Sequence, residues 1–302
     1  MRAFVAGNIT IDETISVGEF PSPGASILGS AAGLDLGGKG ANQAVVLARC
    51  GVQTTLIAAI GSGSRGRAIR DLLSGEPLDA RLIELAQRTS DVSIILVLPD
   101  GNNAIITTTD SADNLSGAAV TEALSSGAEG DLLLLQGNLS ASATRQILEF
   151  ARAAGLQTVL NPSPVRPYFS ELWPLVDLVF MNEGEAAALT GLTGREAAAA
   201  LLAKGVKQVV LTLGAGGAVL IEGGREVAVG AMQVAVVDTT GAGDTFTGVA
   251  LASAIRRGCA LDRRALQDAA EAAALTVSRR GTRSAFPSVT EATSILTRAR
   301  SD

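Results

Sequence analysis

The chain has 302 residues, of which 47% are hydrophobic, and a formal net charge of −6. This length and composition predict a substantial core rather than disorder, and the acidic balance argues against binding to nucleic acid. Because the sequence contains no histidine, Ser-His-Asp triads and histidine-ligated metals are excluded. Any catalysis must therefore use carboxylates, lysine and backbone dipoles.

Neither the cysteines nor the apolar runs indicate an exported or membrane protein. Cys50 and Cys259 lie far apart in helix-like stretches, without the spacing of a zinc site or a disulfide framework. The apolar start at residues 1–7 is too short for a signal peptide, and the run 132–135 is far below membrane-spanning length. We expect a cytoplasmic protein with no membrane partner.

Strand-like and helix-like patterns alternate along most of the chain. Strands are predicted at residues 3–6, 54–59, 132–135, 158–160, 178–181, 209–213 and 234–237. Helices are predicted at residues 41–49, 67–73, 141–153, 185–189, 195–203 and 246–255. This alternation indicates right-handed βαβ units and a mainly parallel α/β sheet with helices on both faces.

Two segments interrupt the alternation. Residues 14–35 alternate weakly and contain two prolines, and residues 91–109 have the pattern of a hairpin with its turn at Asp100 and Gly101. We expect both segments to form a small antiparallel flap beside the main sheet. Its apolar face needs a cover, which could be a bound ligand or a second subunit.

Residues 37–43, GGKGANQ, form a glycine-rich turn before a helix. The glycines allow the backbone to approach a ligand, and Lys39 and Asn42 offer donors to hydroxyl groups. The spacing from Gly33 to Lys39 almost matches a Walker A loop, but Gly40 stands where that loop needs a hydroxyl for Mg²⁺, so this interpretation is rejected. A flexible loop before a helix is the simpler alternative.

Residues 61–66, GSGSRG, have the spacing of a dinucleotide-binding turn between a strand and a helix. Asp79 and Glu84 lie near the distance expected for a ribose ligand. The segment is not in the first βα turn, however, and no acid–base group for hydride transfer accompanies it. A nicotinamide site here is therefore a minor alternative.

Three further positions follow predicted strands, where open α/β sheets bind ligands. Asn182 and Glu185 share a helix face and suit water-mediated Mg²⁺ binding, although a helix cap would look the same. The turn from Thr212 to Gly217 suits a phosphate or a nucleoside sugar, or a tight hairpin. Asp12 follows the first strand and is either a hydroxyl ligand or a surface acid.

Residues 238–246, DTTGAGDTF, place the carboxylate of Asp244 at the start of a helix. The first turn of a helix has unpaired N–H groups and a partial positive charge, which stabilise an anion. A phosphoryl group at this point would find Asp244 close enough to take a proton from an attacking hydroxyl. A helix entry capped by aspartate is the structural alternative.

Together these motifs identify the chain as resembling the ribokinase-like (PfkB) carbohydrate kinases over nearly its whole length. The resemblance is carried by residues 37–43 and 238–246, with residues 182–185 and 212–214 between them in the family's order and spacing. It implies one α/β/α sandwich over residues 1–302, with a β-sheet lid from about 12–35 and 91–109. In such kinases two lids often clasp, so the resemblance also implies a homodimer.

The resemblance implies a role for each matching residue. Asp244 is the base that takes the proton of a sugar's primary hydroxyl as it attacks the γ-phosphorus of ATP. The remaining implied roles are an anion hole from the N–H groups of Gly241, Ala242 and Gly243; sugar binding by Asp12, Thr10, Gly38, Lys39, Asn42 and Asn138; and nucleotide binding by Asn182, Thr212, Gly214 and Gly217, with Glu185 on Mg²⁺.

The resemblance also implies a potassium ion beside the anion hole. The matching positions, mostly through backbone carbonyls, are Asp238, Thr240, Thr276, Arg279 and Gly281. The family's hydroxyl-bearing residue at the end of that loop is Ala285 here. Activation by potassium is therefore expected to be weakened.

Three departures from the family's pattern concern the sugar site and its surroundings. Thr10 stands where an asparagine is usual, Asn138 replaces a sugar-binding glutamate, and Gly63 replaces an acid. Losing a charge-assisted hydrogen bond costs about 1.5–3 kcal/mol, which is enough to change sugar preference. D-Ribose is the expected substrate, with fructose or another ketose, a deoxysugar, a sugar acid and a nucleoside such as pseudouridine as alternatives. A nucleoside is less favoured because few aromatic residues lie near the lid.

Two rival functions come from other classes. One is a sugar-sensing protein on the kinase scaffold, against which the intact Asp244 and its glycine turn argue. The other is the nicotinamide oxidoreductase suggested by residues 61–66. The sequence favours an ATP-dependent sugar kinase.

Overall fold

Two β-sheets form the framework of the computed structural model, which describes residues 1–99 and 102–298. The strands, in chain order, are β1 (Ala3–Ala6), β2 (Thr10–Val17), β3 (Gly29–Gly37), β4 (Thr54–Gly61), β5 (Asp79–Leu85), β6 (Val92–Val97), β7 (Asn103–Thr107), β8 (Leu132–Gln136), β9 (Gln157–Asn161), β10 (Leu178–Asn182), β11 (Gln208–Thr212), β12 (Ala218–Glu222) and β13 (Arg225–Val229). The α-helices of the same ranges are α1 (Lys39–Arg49), α2 (Ser64–Leu73), α3 (Gly117–Leu124), α4 (Ala141–Ala153), α5 (Glu183–Thr190), α6 (Gly194–Leu202), α7 (Ala242–Arg257), α8 (Arg263–Val277) and α9 (Val289–Thr297).

The large sheet has the strand order β13-β12-β11-β10-β9-β8-β1-β4-β5. Every neighbouring pair from β11 to β5 is parallel, whereas β12 and β13 close one edge as an antiparallel hairpin. The inner parallel strands β1, β8, β10 and β11 are almost fully buried, as short apolar runs between two helical layers should be, whereas the edge strand β5 is largely exposed. Their carboxyl ends therefore meet at one edge of the sheet.

Helices cover both faces of the large sheet, so the predicted three-layer α/β/α class is confirmed. Along β1, Ala3 and Val5 belong to the core under α1, α2, α7, α8 and α9, whereas Phe4 and Ala6 belong to the core under α3, α4 and α6. This follows from the two-residue period of a strand, which sends successive side chains to opposite faces. Within the described residues, no helix combines the length and apolar character needed to cross a membrane.

The small sheet is the predicted lid, with the strand order β3-β2-β6-β7. Its pairing differs from the expected antiparallel flap, because β2 and β6 are parallel. Both strands follow strands of the large sheet, β1 and β5, and leave the same carboxyl edge in the same direction. The outer pairs β2–β3 and β6–β7 are antiparallel as expected. The turn predicted at Asp100 and Gly101 lies outside the described residues.

The strand predicted at residues 234–237 is wrong. This segment is irregular, and Val236 is 65% exposed. The backbone N–H groups of Val237 and Asp238 donate to the carbonyl of Val277 at the end of α8, at 2.8 and 3.2 Å. Their hydrogen bonds therefore go to a helix terminus, and β13 takes the sheet edge instead. The β-branched composition alone predicted a strand that tertiary contacts do not allow.

Candidate active site

The helix that carries Asp244 begins immediately before it. The residue that precedes α7 is Gly241, whose φ of 76° is in the left-handed region that favours glycine. Asp244 is then in the first helical turn, with 4% of its surface exposed. The N–H of Ala242 donates to the carbonyl of Thr239 at 3.3 Å, whereas those of Gly243 and Asp244 have no acceptor among the described residues. This helix start therefore offers free donors to an anion.

The Asp244 carboxylate is held by donors from the other end of the chain. Asn42 Nδ2 donates to Oδ2 at 2.8 Å, and Gln43 Nε2 donates to Oδ1 at 2.9 Å. Lys39 Nζ lies 3.9 Å from Oδ1, and the Lys39 side chain is 36% exposed. The structure thus brings the two most informative sequence motifs together, with a cation beside the carboxylate and open to solvent.

The glycine-rich turn before α1 is fixed by the loop after β1. Asn8 Oδ1 accepts the N–H of Gly40 at 3.3 Å, and the Asn8 carbonyl accepts that of Ala41 at 3.1 Å. Gly33 is in lid strand β3, which supports rejection of a Walker A loop. Gly38 is the residue before the helix, so Gly38 and Lys39 lie at the edge where β1 ends.

Asp12 sits at the base of the lid, on β2, and is 6% exposed. Thr10 Oγ1 donates to its Oδ1 at 2.8 Å, and Thr282 Oγ1 donates to its Oδ2 at 3.2 Å. Burial raises the pKa of Asp12, while hydrogen bonds from Thr10, Ser93 and Thr282 act in the opposite direction. Thr10 therefore contacts the carboxylate, and Thr282 is a polar neighbour that no sequence motif marks.

A cavity of about 800 Å³ separates the lid from the loops before α7 and after α8. Its wall includes Asp12 from the lid, Asp238 and Thr240 from the first loop, and Gly281 and Thr282 from the second. This volume is in the range of small-molecule sites, and charged and hydroxyl groups line it. The lid prediction therefore has a concrete counterpart in a partly open cavity with polar and apolar walls.

Asn138 follows β8 at the same carboxyl edge. The residue is 6% exposed, and its buried Oδ1 has no hydrogen-bond partner among the described atoms. A buried amide oxygen without a partner is costly, so such an atom is a natural contact for a ligand.

The positions expected to surround potassium converge beside α7. Asp238 Oδ1 accepts the N–H of Thr240 at 2.9 Å, and Oδ2 accepts that of Gly281 at 3.1 Å. Thr276 Oγ1 lies 3.0 Å from Thr245 Oγ1, one residue after Asp244. Arg279 donates its backbone N–H to the Thr276 carbonyl and pairs its side chain with Glu291. Ala285 is fully buried.

Asn182 and Glu185 form a reciprocal helix cap. Asn182 Oδ1 accepts the Glu185 N–H at 2.8 Å, and Glu185 Oε2 accepts the Asn182 N–H at 2.9 Å. The structural alternative weighed from the sequence is therefore present, with Asn182 exposed at the end of β10. Among the described residues, no group of three or more acidic or cysteine side chains could hold a metal ion.

The turn after Thr212 is a tight connection between antiparallel strands β11 and β12, and the N–H of Leu213 donates to the Gly217 carbonyl at 2.8 Å. A Cβ at Gly217 would lie 2.0 Å from the Val229 carbonyl oxygen, so this glycine packs on β13. A Cβ at Gly214, by contrast, would meet no atom within 4 Å. Gly214 is therefore the open part of the turn, whereas Thr212 is half-buried.

Two of the three glycines of residues 61–66 pack against the protein's own backbone. A Cβ at Gly61 would lie 2.2 Å from the Arg88 carbonyl oxygen, and one at Gly66 would lie 2.0 Å from the Gly61 carbonyl oxygen. A Cβ at Gly63, by contrast, would meet no atom within 4 Å, so the middle of the turn is open. The segment follows β4 and not β1, so it is not the first βα turn, and this position counts against the nicotinamide alternative.

Comparison with known proteins decides the family. Residues 2–289 match the pfkB family carbohydrate kinases. The chain belongs to this family. The Haemophilus influenzae ribokinase is 32% identical over 302 residues, covering 98% of both chains. A ribokinase structure from Thermotoga maritima superposes with a TM-score of 0.89 at 27% identity, covering 99% of this chain and 100% of its own. The Arabidopsis thaliana ribokinase complexed with ribose and ATP gives a TM-score of 0.85 at 27% identity, covering 99% of both chains.

Membership of the pfkB family confirms the predicted class of sugar kinase and its fold. Sequence reasoning nevertheless missed several polar residues around Asp244. Gln43 belongs to the glycine-rich motif but receives no role of its own from the sequence. No sequence motif marks Gln136 or Asn161 as a site residue. Both of the latter end a buried apolar strand at the ligand edge. A polar residue closing such a strand is the signal that could have found them.

Proposed function

We propose that this protein transfers the γ-phosphoryl group of ATP to the primary hydroxyl of a sugar, with D-ribose as preferred substrate and ribose 5-phosphate as product. The observation that carries the proposal is the buried Asp244 carboxylate in the first turn of α7, beside free backbone N–H groups and Lys39. Relatives of the chain include named ribokinases, one of them complexed with ribose and ATP, and two deoxyribokinases at 28% identity.

Asp244 is the general base of the proposed reaction. It takes the proton as the sugar O–H bond breaks, the oxygen bonds to the γ-phosphorus, and the bond to the β-phosphate oxygen breaks to release ADP. The N–H groups of Gly241 and Gly243, which have no acceptor among the described residues, stabilise the charge on the transferring group together with the dipole of α7. The Ala242 N–H joins them by leaving its 3.3 Å bond to the Thr239 carbonyl. Lys39 holds positive charge on the same side.

The sugar is held between the lid and the helix starts. Asp12 accepts hydrogen bonds from sugar hydroxyls, and Asn42 and the Gly38–Lys39 turn contribute donors. Thr10 orients Asp12 through its hydrogen bond. Asn138, whose buried Oδ1 has no partner among the described atoms, is a neutral partner for the sugar. Positioning of both reactants then supplies much of the acceleration.

Asn182, Thr212, Gly214 and Gly217 form the proposed nucleotide side. Glu185 fits water-mediated Mg²⁺ binding, because only one of its two carboxylate oxygens is used by the helix cap. Mg²⁺ bound with ATP would neutralise phosphate charge. The loop oxygens at Asp238, Thr240, Thr276, Arg279 and Gly281 fit a potassium ion as an all-oxygen donor set, with the hydroxyl missing at Ala285. Weak activation by potassium is part of this proposal.

The outer face of the lid fits a second copy of the chain. Leu34 on β3 and Ile106 on β7 are 61% and 63% exposed and share one face of the lid, because the register runs from Leu34 through Glu13 and Ile94 to Ile106. Such an apolar surface on a monomer marks an interaction site. We therefore propose a homodimer through the lid. The proposal also includes one domain over residues 1–302 and a cytoplasmic location.

The test is ADP release with ATP and Mg²⁺ across D-ribose, 2-deoxyribose, fructose, a sugar acid and pseudouridine, each with and without potassium. The phosphorylated carbon of each product is assigned by phosphorus and carbon NMR. Turnover of D-ribose with the highest kcat/KM, and phosphate on the primary carbon, supports the proposal. A tenfold preference for another substrate overturns the ribose assignment. ATP binding without turnover of any sugar favours the sensor function instead.

A further inference from the structure

A row of buried amide side chains leads from the middle of the large sheet to Asp244. Gln43 Nε2 donates both to Asp244 Oδ1, at 2.9 Å, and to Asn161 Oδ1, at 3.0 Å. Asn161 Nδ2 donates to the Phe180 carbonyl at 2.9 Å, and Gln136 Nε2 donates to Gln43 Oε1 at 2.8 Å. We propose that Gln43, Asn161 and Gln136, here called the amide network, are positioning residues that fix the catalytic carboxylate; this rests on the proposed function.

The direction of every hydrogen bond in the amide network follows from one backbone group. The Phe180 carbonyl can only accept, so Asn161 must present its NH₂ there and its Oδ1 toward Gln43. Gln43 must then present its NH₂ to Asn161, which also aims that NH₂ at Asp244. Its oxygen is left for Gln136. A flipped Gln43 amide would place its own oxygen against the oxygens of Asp244 and Asn161. Burial makes such an unpaired contact between acceptors costly.

Burial makes this arrangement a stiff one. Gln43 and Gln136 are fully buried, and Asn161 is 8% exposed. Water therefore has little access to replace a lost partner, and each amide keeps the orientation that its neighbour imposes. An amide also neither gains nor loses a proton at neutral pH, so the amide network holds Asp244 without competing for the proton that Asp244 must accept.

The backbone places the three amides within reach of one another. Gln136 and Asn161 are register partners at the carboxyl ends of β8 and β9. Gln43 is on α1, which packs closely on α7 at Gly248, where a Cβ would lie 2.6 Å from Val46 Cγ1. The small residue one turn after Asp244 thus lets the two helices approach, and that approach brings Gln43 to the carboxylate.

The first test is kinetic and uses Gln43→Leu, Asn161→Leu and Gln136→Leu. Gln208→Leu is the matched control, because Gln208 is a buried amide at the amino end of β11, on the opposite edge of the sheet. We expect kcat to fall about 10- to 100-fold for Gln43→Leu, as small displacements of a catalytic group do, and by less for the other two. KM for sugar and ATP should change by less than about threefold, because none of the three is proposed to contact substrate.

A second readout does not need activity. The Gln43 side-chain NH₂ signals, assigned with Gln43→Leu in ¹⁵N spectra, should move in Asp244→Asn, Asn161→Leu and Gln136→Leu but not in Gln208→Leu. Unmoved signals, or kcat losses no larger than that of the control at equal Tm, would overturn the inference. Gln136→Leu keeps the test decisive if Gln43→Leu fails to fold. Wild-type protein that turns over no sugar would refute the proposed function instead. The NMR series would still show whether the amide network holds the Asp244 carboxylate.

Discussion

Asn42 and Asp244 are 202 residues apart in the sequence and are joined by a hydrogen bond of 2.8 Å between Nδ2 and Oδ2. The bond connects the first turn of α1 to the first turn of α7. The proposed sugar side and the proposed phosphate side of the site therefore share one carboxylate.

Asn42→Ala removes one of the two amide donors to Asp244. A hydrogen bond to a charged group contributes about 1.5–3 kcal/mol, so we expect kcat/KM for the sugar to fall about 10- to 150-fold. Steady-state kinetics with a parallel Tm measurement checks this. A loss below about twofold would show that the bond has no catalytic role.

Asp12→Asn should separate sugar binding from stability. Burial raises the pKa of Asp12, so folding favours its protonated form and the ionised carboxylate destabilises the fold at neutral pH. The stability contributed by this group is present below the ordinary value of 3.8 and is lost as pH rises through the folded pKa. We expect Asp12→Asn to keep or raise Tm at pH 7, while KM for the sugar rises about tenfold or more. A lower Tm with unchanged KM contradicts this account.

Gly241→Ala and Gly243→Ala form a matched pair at the start of α7. A Cβ at Gly241 would lie 2.5 Å from Phe286 Cε1, at a φ of 76° that alone costs an alanine about 1–2 kcal/mol. A Cβ at Gly243 would meet no atom within 4 Å. We expect Gly241→Ala to lower Tm by several degrees, roughly 2–8 °C, and Gly243→Ala to leave Tm unchanged but lower kcat, because its methyl occupies the proposed phosphoryl space. Thermal unfolding and kinetics of both variants check this. An unchanged kcat in Gly243→Ala would show that the phosphoryl group binds elsewhere.

Glu291 provides a pH-dependent contribution to stability. The hydrogen bond from Arg279, with others from Ser288, lowers the pKa of Glu291 from 4.5 to about 2. A lowered folded pKa means that the contribution is complete above pH 4.5 and is lost as pH falls toward 2. Glu291→Gln should therefore lower Tm at pH 7, and the difference from wild type should narrow below pH 4.5. A difference that stays constant from pH 7 to pH 3 would exclude this ion pair as its source.

Most of the large sheet could be predicted, because its parallel strands are short apolar runs whose burial dominates their conformation. The edge of the sheet could not be predicted in this way. Residues 234–237 have strand composition, but the N–H groups of Val237 and the following Asp238 donate to the end of α8, whereas β12 and β13 form the edge hairpin. At an edge, tertiary partners rather than local preference decide which segment pairs.

In the candidate site, the glycine turns and Asp244 were predictable because anion binding at a helix start needs a particular local sequence. Gln136, Asn161 and Thr282 were not, because each acts through a long-range contact. Thr282 meets Asp12 across 270 residues, and no local pattern records such a pairing. The parallel pairing of β2 with β6 was missed for the same reason, since it depends on where two separate insertions leave the large sheet.

The most direct test of the central claim is the single-turnover rate of phosphoryl transfer from ATP to D-ribose in wild type and Asp244→Asn. Asparagine keeps the size of the side chain but cannot accept the hydroxyl proton. We expect the rate to fall at least about 10²- to 10⁴-fold, with ATP and ribose still bound and Tm unchanged. A variant that transfers phosphate within tenfold of the wild-type rate would contradict the assignment of Asp244 as the base.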